Sequence, residues 1–121
     1  MTSIVRTLLV AAALSLSATA AWAAASNMPT QYQPDPALKT ESIGQLRARV
    51  SQACTVIQAR LQSEASEASL SRACECYAGR TMRSLSPDEV QAYRDTGVFN
   101  DSARQKALAA LDACKLPRPQ I

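Results

Sequence analysis

Four cysteines, Cys54, Cys74, Cys76 and Cys114, all lie downstream of an N-terminal stretch shaped like a secretion signal. An even cysteine count in a short exported chain without histidine is most economically a disulfide framework. The missing histidine also removes Ser-His and Cys-His nucleophile pairs, haem attachment through C-x-x-C-H and histidine-based zinc sites. With Gly44, Gly79 and Gly97 so widely spaced, no glycine-rich phosphate loop can form.

Residues 1–25 carry the three parts of a cleavable signal peptide. Arg6 provides the positive start, Leu8 to Leu16 the apolar stretch, and Ala21-Trp22-Ala23 or Ala23-Ala24-Ala25 the small-residue cleavage pattern. No basic stop-transfer cluster follows, so no stable membrane insertion is expected after signal removal. The roughly 96 residues left are the size of one domain, small enough for cross-links to matter. The net charge of +3 includes Arg6, and acidic residues interleave with the basic ones, so no field points to nucleic acid. The expected location is the periplasm or the exterior of the cell.

Residues 26–40, with Pro29, Pro34 and Pro36 and no periodicity, read as a flexible leader. Residues 41–121 read as an all-α domain of four helices stapled by disulfides. The first helix is expected from about Ser42 to Gln62, capped by Ser42 and Gln45. Its core stripe would be Ile43, Leu46, Val50, Ala53, Ile57 and Leu61, with Cys54 at the edge. After a polar joint at 63–69, the second helix runs to Ser84 and aligns Leu70, Cys74, Tyr77, Ala78, Thr81 and Leu85. Cys76 falls on its opposite side, beside Arg72, Arg80 and Arg83. Ser86-Pro87-Asp88-Glu89 marks the start of a short third helix, with Ser as cap, Pro at the first position and Leu85 and Val90 as a staple. Gly97 is placed to end it in a left-handed conformation. Asn100 to Ser102 offer caps for a last helix carrying Ala107, Leu108, Leu111 and Cys114, ended by Pro117 and Pro119.

Four cysteines allow three pairings. A Cys74–Cys76 bond is disfavoured, because side chains two apart on a helix diverge by about 200°. Folding the first helix back on the second brings Cys54 level with Cys74, which favours Cys54–Cys74 with Cys76–Cys114. The swapped pairing stays open. Two functional alternatives compete with structural bonds. Four thiolates could bind zinc, but paired C-x2-C knuckles are absent; Cys74-x-Cys76 could grip Cu(I), with only Met28 and Met82 to assist. A free Cys76 beside three arginines would be a reactive thiolate, although redox pairs usually space Cys-x-x-Cys. Of the carboxylates Glu64, Glu67 and Glu75, only Glu75, set between two cysteines, offers a candidate for acid–base work. Gly79 would permit close helix approach.

The order of a signal peptide, a cysteine on the first helix, the run Cys74-x-Cys76-Tyr77-x-Gly79 and a cysteine closing the last helix resembles small periplasmic immunity proteins of the Rap1a type. The resemblance covers about half the mature chain; Cys76 and the Ser86–Glu89 start depart from the pattern. It implies a helical periplasmic protein that guards a bacterium against a secreted toxin. With catalytic constellations missing, a stapled body and a flexible leader, the expectation is a non-enzymatic module with no cofactor and no metal, binding another exported protein. The alternative is a thiol redox or copper-handling protein using Cys74 and Cys76.

Overall fold

The computed structural model describes residues 33–120, so the expected signal peptide, residues 1–25, and residues 26–32 of the expected leader lie outside the described residues. Four α-helices follow a short 3-10 turn at Pro36–Lys39: α1 Ile43–Leu61, α2 Glu67–Ser84, α3 Pro87–Thr96 and α4 Asp101–Ala113. There is no strand among the described residues. Helix α2 is central, packed by α1 and by α4, while α3 packs with the 3-10 turn.

The helix starts follow from side-chain caps. Ser42 Oγ accepts the Gln45 amide at 3.1 Å while Gln45 Oε1 accepts the Ser42 amide at 2.7 Å, a complete capping box. Ser66 Oγ accepts from the Ser69 amide, which starts α2 at Glu67, two residues before the expected Ser69. Ser86 caps α3 ahead of Pro87, and Asn100 caps α4. Gly97 ends α3 at φ 73°, the left-handed conformation its position predicts. Helix α4 ends differently. Lys115 takes the left-handed position at φ 58°, with Lys115 N–H bonded to Asp112 O and Leu116 N–H to Leu111 O. This is a Schellman closure on a lysine, and its apolar pair, Leu111 and Leu116, is buried in one core cluster.

The core has two clusters. Leu38, Leu46, Val50, Ala78, Met82 and Tyr93 form the first; Cys54, Cys74, Leu111 and Leu116 form the second. Tyr77, half-buried, packs against both. On α2 the expected stripe is buried as Leu70, Cys74, Ala78 and Thr81, with Met82 added. On α1 it is rotated. Leu46, Val50, Cys54 and Gln58 are buried, whereas Ile43, Ile57 and Leu61 are exposed. Ile57 and Leu61 belong, with Ala53, to the four-residue ridge adjacent to the buried one, and the bridge to Cys74 turns the Cys54 ridge inward.

The flexible leader was expected to reach residue 40, but its last residues, from Asp35 onward, are folded. Asp35 caps the 3-10 turn by accepting the Ala37 amide, with Pro36 at its first position. Leu38 is only 3 % exposed in the first cluster. Arg94 donates to Leu38 O at 2.8 Å and Glu41 O at 2.6 Å, and Arg49 pairs with Asp35 and Glu41. Gly79 also departs from expectation. The nearest atoms that a methyl there would meet belong to the Arg83 guanidinium, at 3.1 Å, rather than to a neighbouring helix. If Leu38 anchors the segment, Leu38→Ala should cost about 2–3 kcal/mol in chemical unfolding. A change within about 0.5 kcal/mol would show the turn to be unanchored.

Candidate functional site

All four cysteines are bonded. Cys54–Cys74 ties α1 to α2 with Cα atoms 5.6 Å apart, and Cys76–Cys114 ties α2 to the end of α4 at 6.0 Å. This is the favoured pairing. Cys74 is fully buried while Cys76 is exposed, as opposite positions on one helix require. Cys74 and Cys76 therefore belong to two separate bridges rather than to one dithiol, and Met82 is buried in the core. Glu75 is an exposed surface acid facing α1, where Arg47 lies 3.4 Å away and the Ser51 hydroxyl lies at the same distance. Glu64 and Glu67 are exposed at the α1–α2 joint.

An apolar cleft of about 300 Å³ lies where α1 faces the α3–α4 loop. The second ridge of α1 gives Ala53 and Ile57; the loop gives Gly97, Val98 and Phe99. Buried Val50, Cys54 and Leu111 and half-buried Tyr77 also line it, as do Tyr93 and Pro119. Ile57 is 42 % exposed and Val98 55 %. The loop is shaped locally: Gly97 turns the chain, the Thr96 hydroxyl accepts the Val98 amide at 3.3 Å, and the Phe99 ring sits 5.1 Å from that of Tyr93. Polar groups here are few. Gln58, 1 % exposed, donates to Pro117 O at 2.9 Å and accepts from Gln62 at 2.8 Å, which lays the C-terminal tail against α1. Burial pushes the Tyr77 phenol upward, the nearby Thr81 hydroxyl opposing this, so it stays neutral. Arg104 is the one charged residue lining the cleft, and it has no acidic partner among the described residues.

A second feature joins α3 to α4. Glu89, 6 % exposed, accepts from Lys106 Nζ at 2.6 Å and from the Ser86 hydroxyl at 3.1 Å. Its Oε2 has no partner. The α3 capping signal thus has a second use, because the residue at its third position reaches α4. No group of three or more His, Cys, Asp or Glu residues suited to a metal ion occurs among the described residues. Two disulfides, and described helices none of which is long and apolar enough to cross a membrane, are compatible with export.

Compared with known proteins, the chain matches no family model, no curated protein and no solved structure. Neither side of the cleft was legible as a site. Ile57 has core spacing, and Val98 lies in a loop whose only signal was Gly97.

The Lys106 ammonium, helped by Ser86, holds the Glu89 carboxyl below the ordinary glutamate value of 4.5. A folded value below the unfolded one means stability present above pH 4.5 and lost as pH falls through the folded value. Thermal unfolding between about pH 5 and pH 3 should show a shallower loss of Tm in Glu89→Gln than in the wild type. Parallel slopes would separate Glu89 from acid sensitivity.

Proposed function

We propose that this is a small exported, non-enzymatic module that binds another exported protein, as an inhibitor, an immunity factor or an envelope assembly subunit. The observation that carries the reading is the apolar cleft. Apolar side chains exposed together at a concavity mark interaction surfaces, and here one α1 ridge is left outside the core while its neighbour fills it. The charge pattern defines the occupant. An apolar side chain of the partner enters between Ile57 and Val98, and an acidic residue beside it meets the unpaired Arg104. Disulfides suit this role, because a rigid receptor loses little conformational entropy on binding. The division of Cys74 and Cys76 between two bridges favours this reading over the thiol or copper alternative.

The test is capture from an envelope fraction with tagged full chain, repeated with Ile57→Asp, Val98→Asp and Arg104→Glu. Each substitution is at an exposed position, so folding should be unchanged. A specific partner retained by the wild type should bind at least about tenfold more weakly to each variant, as the loss of a buried apolar anchor or a charge pair requires. No partner for the folded wild type, or equal capture by all four proteins, contradicts the proposal.

A further inference from the structure

Away from the apolar cleft, α2 and α4 flank an open groove of about 360 Å³ with a different chemistry. Arg80 and Arg83 project from α2 at three-residue spacing, which puts them side by side on one helix face. Lys106 faces them from α4, and the floor between is made of Ala109, Ala110 and Ala113. The charges do not cancel. Lys106 is already matched by Glu89 at 2.6 Å, but Arg80 and Arg83 have no hydrogen bond or ion pair among the described residues. Two adjacent guanidinium groups without a counter-charge repel each other, and an anion bound between them would relieve this.

The walls are also fixed. Cys76 stands one turn before Arg80, and Cys114 directly follows Ala113, so the Cys76–Cys114 bridge sets the spacing of α2 and α4 at one end of the groove. The Arg83 guanidinium lies close to Gly79, where the absent side chain leaves it room.

We propose that this groove binds a phosphate monoester or free phosphate, held between the Arg80 and Arg83 guanidinium groups. At neutral pH a phosphate monoester carries about −1.5 to −2 charges. That matches two unpaired arginines, whose planar forks suit phosphate oxygens better than ammonium groups do. The lysine, engaged by Glu89, contributes positive potential rather than net unpaired charge. The site is independent of the apolar cleft, so either can fail without the other.

Titration of the full chain with inorganic phosphate, followed by backbone amide shifts, tests the free ion. Co-sedimentation with phosphatidylcholine vesicles, plain or holding about a fifth phosphatidic acid, tests a lipid headgroup. Saturable shifts should centre on residues 79–84 and 106–113, or sedimentation should require phosphatidic acid; which arm responds identifies the source of the phosphate. Arg80→Gln with Arg83→Gln should weaken binding about tenfold or more, whereas Arg60→Gln, an unpaired cation on α1, should change it less than about twofold. The wild-type shift map needs no variant to fold. The proposal is overturned if neither probe binds, if the shifts centre elsewhere, or if Arg60→Gln weakens binding as much as the double variant.

Discussion

Two disulfides leave α2 from positions two residues apart and travel in different directions. Cys74 points into the core and meets α1; Cys76 points outward and meets the end of α4. A single turn of one helix therefore fixes both of its larger neighbours. The chain needs such a device. Among the described residues the core contains no tryptophan, and its buried apolar side chains are mostly Leu, Val and Ala, with two cysteines among them. On the chain-entropy account, closing loops with separations of 20 and 38 residues contributes about 3 and about 4 kcal/mol. Against a typical domain stability of about 5–15 kcal/mol, these contributions are decisive.

The surface follows from the same constraint. Once Cys54 is drawn to Cys74, the ridge Leu46–Val50–Cys54–Gln58 faces inward, and Ala53 and Ile57 of the adjoining ridge are left beside the α3–α4 loop. The bond that builds the core thereby creates the apolar cleft. On the other flank, Cys76–Cys114 sets α4 beside the polar face of α2, where Arg80 and Arg83 stand over an alanine floor. Each bridge thus adjoins one surface feature, apolar in one case and cationic in the other.

Local grammar was readable wherever a side chain acts on its own backbone. The capping box at Ser42 and Gln45, the Ser86-Pro87 start and the turn at Gly97 all match the structure, as does the favoured disulfide pairing. Legibility failed where a distant contact decided the outcome. Asp35-Pro36 has the same cap-then-proline form as Ser86-Pro87, but three nearby prolines suggested a leader; Leu38 reaching the core and Arg94 reaching its carbonyl are contacts more than 50 residues long in one case. The rotation of α1 is another instance, since Leu46 and Ile57 look alike in a periodic pattern and differ only in what the bridge places opposite them. The Schellman closure on Lys115 carries no glycine to announce it. For the candidate site, spacing could name the apolar residues but not which of them were surplus to the core.

The most direct test of this account is thermal unfolding of the purified full chain with and without reductant. Losing both bridges should lower Tm by at least about 20 °C or abolish cooperative melting, since about 1 kcal/mol corresponds to about 4–8 °C in a domain of this size. An unchanged melting curve for fully reduced protein would contradict the account, because the helices would then hold their places without sulfur.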